Sequence, residues 1–219
     1  GGGMLLVNGV LAALLETANS GKGQVIDVAM VDGAAQLMWM FHSFEAMGLW
    51  DATERESNML DGGAHFYDTY ECADGEYISI GSIEPQFYAL LKERAGLTEE
   101  DFGAQNDQSQ WSAMKEKLTT VIKQKTQAQW SEIMEGTDVC FAPVLNILDA
   151  PKHPANIARN TYIEVDGLVQ PAPAPRFGRT PSEVRHGGHD VGQDTDAILM
   201  EMGFGEQELA GLRADGSIV

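Results

Sequence analysis

The sequence predicts a mixed α/β chain on three observations. These are an apolar N-terminal stretch with helical spacing, a hairpin signal between residues 65 and 83, and amphipathic helical patterns from residue 85 onward. In the first stretch, Val7, Val10, Leu11, Leu14 and Leu15 recur at helical spacing between Gly3 and about Thr17, and NSGKGQ at 19–24 supplies the stop. A helix with a buried face is expected there. VIDVAMVDGAAQLMWMFHSFEAMG, 25–48, reads as a second helix starting near Asp27, apolar on almost every side as a helix packed within a larger assembly would be. LWDATERESNMLDGG, 49–63, is a polar connector.

HFYDTYECADGEYISIGSI, 65–83, sets Asp74-Gly75 between two runs rich in Tyr, Ile and Thr, the strongest local signal in the chain. It predicts a β-hairpin. A helix follows from Pro85 to about Ala95, closed by Gly96. Trp111, Met114, Leu118, Val121 and Ile122 share one face of the next helix, and the Lys-rich stretch 115–125 reads as its solvated side. Thr126 and Gln129 have capping-box spacing, which opens another helix over TQAQWSEIMEG. Beyond Cys140, Pro-containing short apolar runs lead to the extended stretch PAPAPRFGRTPS, 171–182, and the chain closes with two short helical patterns.

With 219 residues, the chain can bury a real core as one large domain or two small ones. Its 33 Asp and Glu against 14 Lys and Arg give a net charge of −19, with no basic run, which argues against nucleic acid or an anionic membrane surface as a partner. No stretch approaches the roughly 20 uninterrupted apolar residues of a membrane-spanning helix. The expectation is a soluble, cytoplasmic protein. Cys72 and Cys140 are too few and too far apart for a disulfide framework or metal spacing, and both are expected as reduced core or near-core thiols. The start GGGMLL lacks an initiator Met and a signal peptide, so the natural N-terminus is expected to lie upstream.

GSIEPQFYALL, 81–91, holds Glu84 between a strand-like run and a helix. Proline suits the first helical turn and pushes the residue before it into extended backbone, so the carboxylate is mounted rigidly. A two-residue turn at Asp74-Gly75 would pair residues whose numbers sum to 149, placing Glu84 opposite His65 and diagonal to Tyr67, whose hydroxyl could bond the carboxylate. A three-residue turn with a bulged glycine would shift the pairing by one and put Phe66 in that place. The ordinary reading of a carboxylate before proline is a helix cap, and the helix dipole opposes a strong general base.

GGGMLLVNGVLAALLE, SGKGQVIDVAMVDG, MLDGGAHFYDTYECADGEYISIGSIEPQFY and PAPRFGRT together resemble the α-methylacyl-CoA racemases of the family III CoA-transferase (CaiB/BaiF) superfamily, over essentially the whole chain. The tail from GGHDVGQDTD onward is also similar to the superfamily's C-terminus. The resemblance implies an interlocked homodimer with a Rossmann-like large domain and a small α+β domain. Here residues 1–50 would be helices of the large domain and 51–65 a linker. Residues 66–142 would form the small domain, 143–164 a second linker, and 165–219 the tail returning to the large domain.

It further implies an acyl-CoA substrate, no cofactor beyond the CoA carried in that substrate, and Glu84 as one of two bases. The other base, a His assisted by an Asp, and most CoA-phosphate arginines would lie before the glycine run. A racemase needs acid–base groups on both faces of a planar enolate, with pKa values near working pH, which for a glutamate requires burial. Enolate charge needs preorganised donors, for which backbone N–H groups near Gly1–Gly3 are candidates. Gly1 and Gly2 are thus assigned near the thioester, with close backbone packing as the structural alternative. Ile83, Met40, Met47 and Met59 are assigned to the substrate surface, while Met30 and Met38 are read as core filler.

HGGHD, with His186, His189 and Asp190, is an incomplete ligand set and reads as a surface turn, so no metal is assigned. His42 and His153 have no nameable partner. A CoA transferase, which would use an upstream Asp nucleophile, is the second enzyme reading, and Glu in place of a glycine run at 81–86 speaks against it. The third is a non-catalytic fragment or assembly module, because the first two helices would leave apolar surface without a cover.

Overall fold

The computed structural model describes residues 1–218, which divide into two compact units, one running from Gly1 to Val144 and the other from Leu145 onward. The first begins with three helices. α1 (Gly2–Ser20) ends at Gly21 in the left-handed conformation, and α2 (Met30–Leu37) and α3 (Trp39–Ala46) flank Met38. The single helix expected over 27–48 is thus two. Met38, at φ −93° and ψ 0°, ends α2 with a tight bond from its N–H to the Ala35 carbonyl and at the same time opens α3.

None of the residues of α1 is buried, so the expected buried face does not exist within the described residues. Leu11, Leu14 and Leu15 are each at least 60% exposed, and Met30 and Met38, read from sequence as core, are exposed as well. The expectation that no segment is long and apolar enough to cross a bilayer is also corrected: by length and composition alone, α1 passes that test. A core helix of a soluble protein passes it equally well.

The chain's core lies between residues 64 and 139. β1 (Tyr67–Glu71) and β2 (Tyr77–Gly81) form the expected hairpin and β3 (Phe141–Val144) adds a third antiparallel strand on β2. α4 (Pro85–Ala95), α5 (Glu99–Phe102), α6 (Trp111–Ile122) and α7 (Gln127–Met134) complete the unit, with α6 against β1 and α7 against β2 and β3. Strand alternation turns Tyr70, Ile78 and Ile80 inward, where they meet Tyr88, Leu91, Trp111, Met114, Leu118, Ile122, Trp130 and Met134. Each large side chain so buried contributes roughly 1.5–3 kcal/mol over the exposed state. The expected face of α6 and the Thr126–Gln129 capping box both form. The Lys-rich side is not uniformly solvated: Lys115 is half-buried and pairs with Asp68.

The second unit was read as linker and tail. It holds α8 (Pro154–Arg159), a hairpin of β4 (Tyr162–Val165) and β5 (Leu168–Pro171), and the two expected terminal helices, α9 (Thr195–Glu201) and α10 (Glu206–Ala214). β3 and β4 both run across the expected boundaries at 142 and 164. The β4–β5 turn is Asp166-Gly167, both residues at positive φ, as a two-residue hairpin turn requires.

Two buried polar groups tie the core together. Ser82, fully buried, donates to the Val139 carbonyl at 2.6 Å, joining the end of β2 to the segment that enters β3. His65, equally buried, lies 2.7 Å from the Tyr88 hydroxyl, which itself donates to the Phe102 carbonyl at 2.8 Å. That leaves Nε2 as the protonated nitrogen and Nδ1 without a partner. Burial pushes the His65 imidazole down to about 4.

Removing the Ser82 donor leaves a buried carbonyl unpaired, so Ser82→Ala is expected to lower unfolding free energy by about 1–3 kcal/mol in urea titrations. For His65 the unfolded chain binds the proton first. Its contribution is therefore complete above pH 6.5 and is lost as pH falls from there toward about 4. The urea midpoint should fall across that window, and fall less steeply in His65→Gln, whose amide can still donate to Tyr88.

Candidate active site

Glu84 occupies the N-cap position of α4 at φ −71° and ψ 144°, the extended conformation that Pro85 imposes. Its carbonyl accepts the N–H groups of Phe87 and Tyr88 at 3.0 Å, starting the helix. The side chain does not cap: no hydrogen bond runs from the carboxylate to the α4 backbone. The cap expected from sequence is therefore replaced by an uncommitted carboxylate, exposed and without a hydrogen-bond or ion-pair partner among the described residues. Pro85 supplies no N–H, which removes one of the donors that would otherwise draw the carboxylate back onto the helix.

The hairpin register decides the neighbours. Tyr67 pairs with Gly81 and Glu71 with Tyr77, so paired numbers sum to 148. The turn is the three-residue form: Cys72 N–H donates to the Glu76 carbonyl at 2.7 Å, and Gly75 sits at φ 84°. The two-residue alternative is corrected, and the diagonal position falls to buried Phe66. Tyr67 instead lays its ring over Gly81, where a Cβ would meet ring carbons at 3.4 Å, and its hydroxyl has no hydrogen-bond partner among the described residues. No Tyr67–Glu84 bond orients the carboxylate.

A cavity of about 410 Å³ opens on this side of the sheet, lined by Leu60, Asp61, Gly62, Tyr67, Gly81 and Cys140 among others. Glu84 is not in its lining; it follows Gly81, which is, by three residues, and its charge acts on Cys140, which also lines the cavity. Cys140 is exposed, against the expectation of a near-core thiol, because it takes a left-handed φ of 60° immediately before β3 and turns its side chain out. Its carbonyl accepts Gly81 N–H at 2.9 Å. Its thiol is pushed up by partial burial first and by the charges of Glu84 and Asp138 next, so the Glu84 charge is felt there.

The far wall of this cavity is stiff. Asn58, 4% exposed, donates to the Asp51 carbonyl and to Asp61 and accepts the Asp51 N–H. Lys115 donates to the Gly62 carbonyl at 2.7 Å while paired with Asp68 on β1, and Gln108 holds the Ser57 carbonyl at 2.7 Å. None of these polar anchors was read from sequence, and DGG at 61–63 was their only trace. Gly63 admits no side chain, since a Cβ would lie 2.6 Å from the Asn58 carbonyl oxygen.

The remaining predicted residues divide. Ile83, next to Glu84, packs against the core from a partly exposed position. Gly1 and Gly2 pack backbone to backbone on Gly33 of α2, where a Cβ on Gly33 would meet the Gly2 nitrogen at 2.8 Å; this is the close-packing role named as the alternative. Met40, Met47 and Met59 lie outside the lining of the 410 Å³ cavity, Met47 being 68% exposed. In the second unit, His186 and His189 stack at 4.1 Å, His189 pairs with Asp194, and Asp190 uses its N–H to bond Gln193. Among the described residues no three His, Cys, Asp or Glu side chains cluster for a metal. A larger cavity of about 690 Å³ lies in that unit, lined by Glu164, Pro175, Arg176, Phe177 and Glu183 among others.

Comparison with known proteins gives this site a context. The chain is 44% identical to alpha-methylacyl-CoA racemase of Mus musculus and 40% identical to that of Homo sapiens, each match covering 98% of this chain but 57% and 56% of the relative. It thus spans little more than half the length of these curated relatives. Among solved structures, a CaiB/BaiF family protein from Brucella suis matches 92% of this chain and 54% of its own with a TM-score of 0.65 at 20% identity, a likeness of fold. The family model for CoA-transferase family III matches residues 1–195, and the chain belongs to that family.

Proposed function

We propose that this chain carries the glutamate half of the acid–base pair of an α-methylacyl-CoA racemase, which interconverts (2R)- and (2S)-2-methylacyl-CoA through an enolate. The observation that carries the reading is the uncommitted Glu84 carboxylate at a backbone corner locked by Pro85. The relatives named as racemases at 44% and 40% identity support it. In this reading Glu84 takes or returns the α-proton on one face, and a second group outside these 219 residues serves the other. Glu84 is exposed in this chain, and in this reading the site is closed over it by chain beyond these residues or by a second copy in a homodimer. The 410 Å³ cavity beside Cys140 receives the thioester end, and the exposed thioethers of Met47 and Met59, with Met40, offer an adaptable surface for the acyl chain. Tyr67 serves as a wall of the cavity, and no cofactor is used.

A family III CoA transferase is the competing enzyme reading. Incubation of the full-length gene product with 2-methyldecanoyl-CoA in D₂O separates the two. Deuterium at the α-carbon with no acceptor acid supports the racemase, and turnover only with a carboxylic acid acceptor supports the transferase. In the same assay Glu84→Gln is expected to lose at least about 100-fold of exchange from one enantiomer, and much less from the other, with CoA binding nearly intact. Undiminished exchange from both enantiomers removes Glu84 from the mechanism. The 219-residue chain by itself is expected to exchange no α-proton.

A further inference from the structure

Residues 82–84 belong to neither β2 nor α4, and while the Glu84 carbonyl starts the helix, the carbonyls of Ser82 and Ile83 lack the partners that regular structure supplies. The Gln105 side chain meets that need. It leaves the segment between α5 and α6, is 8% exposed, and donates through one nitrogen to the Ser82 carbonyl at 3.1 Å and to the Ile83 carbonyl at 2.8 Å. Among the described residues no other donor reaches either carbonyl. Gln105 is itself held, since its own carbonyl accepts Trp111 Nε1–H at 2.8 Å and Trp111 belongs to the core. One carboxamide therefore fixes the two peptide planes immediately before Glu84, and with them the direction of its Cα–Cβ bond.

We propose that Gln105 is a positioning residue for Glu84, clamping the strand-to-helix corner so that the carboxylate meets the α-carbon of the acyl-CoA in reactive geometry. The inference rests on the racemase reading above. It assigns a role in the reaction to a residue that touches neither substrate nor carboxylate, by fixing the backbone from which an exposed glutamate with no side-chain partner extends.

The test uses the full-length gene product with (2R)- and (2S)-2-methyldecanoyl-CoA in D₂O. Gln105→Leu, close in size and without donors, should lower α-deuteration by about 10- to 100-fold from the enantiomer whose proton Glu84 removes, because small misplacements of a reacting group cost on that order. Exchange from the other enantiomer should fall less than about threefold, and KM should stay within about twofold, as expected for an interaction felt in the transition state. Gln105→Glu places a carboxylate against two carbonyl oxygens and should be impaired at pH 8. Its activity relative to the unaltered protein should recover as pH falls and a protonated carboxyl again donates.

Equal losses from both enantiomers, or a loss confined to KM or to thermal stability, would reduce Gln105 to scaffold and overturn the proposal. Amide hydrogen exchange separates this failure from failure of the racemase reading. If the unaltered protein deuterates neither enantiomer, the racemase reading fails, and the clamp is then judged by exchange alone. Faster exchange confined to residues 81–88 in Gln105→Leu supports it, and unchanged exchange there overturns it.

Discussion

Three residues join a strand to a helix without belonging to either, and the chemistry available at Glu84 depends on how their peptide groups are held. On the strand side, Ser82 N–H reaches the Phe66 carbonyl and Ser82 Oγ–H the Val139 carbonyl, while Gly81 N–H reaches Cys140. From the side, the Gln105 carboxamide takes the two carbonyls that remain. On the helix side, proline fixes φ and withholds a donor. Every anchor belongs to another residue, so the glutamate side chain is not consumed in holding its own backbone. A capping carboxylate is half-satisfied by the helix and correspondingly poor at taking a proton. This one is left free on a backbone that other residues hold.

The two ends of the first unit differ in how their apolar surface is treated. From residue 64 to 139 large side chains close on one another with few polar intruders, of which Ser82 and Tyr88 are hydrogen-bonded and His65 is bonded through Nε2 but not Nδ1. From residue 4 to 39 comparable side chains face outward, Met4, Leu11, Leu15, Val31 and Trp39 among them. Helices of this kind owe most of their stability to packing one face against something else. The close backbone contact of Gly1 and Gly2 with Gly33 fastens α1 to α2 but buries little. The N-terminal helices thus leave their apolar side chains exposed within this chain, whereas residues 64–139 close a core of their own.

Much of this was legible in sequence where a signal is local. Pro85 and Gly96 bound α4, Thr126 and Gln129 cap α7, and the spacing of Trp111, Met114, Leu118 and Ile122 marks the face of α6. The hairpin was legible, but its register was not. Asp-Gly serves a two-residue turn at 166–167 and part of a three-residue turn at 73–75, where Ala73 N–H is drawn to the Lys125 carbonyl and Asp74 accepts Gln127 N–H. Tertiary contacts chose between two locally acceptable turns. β3 was hidden because Pro143 speaks against a strand, yet Pro143 sits at an edge, where the missing N–H costs no ladder bond. The second Asp-Gly at 166–167 was an available signal for β4–β5 that the Pro-rich surroundings masked. At the corner, the proline announced rigidity, but Gln105 lies 21 positions along the chain from Glu84, and no spacing rule joins them.

The contrast between the two thiols has a practical side. Cys72 is 2% exposed, and its thiol is raised to about 11 by burial and by the carboxylates around the hairpin turn. Cys140 is exposed, in the lining of the cavity and within the field of Glu84. A maleimide dye offered to the folded chain therefore has a single accessible attachment point. The label then sits in the lining of the cavity itself, with no engineered cysteine.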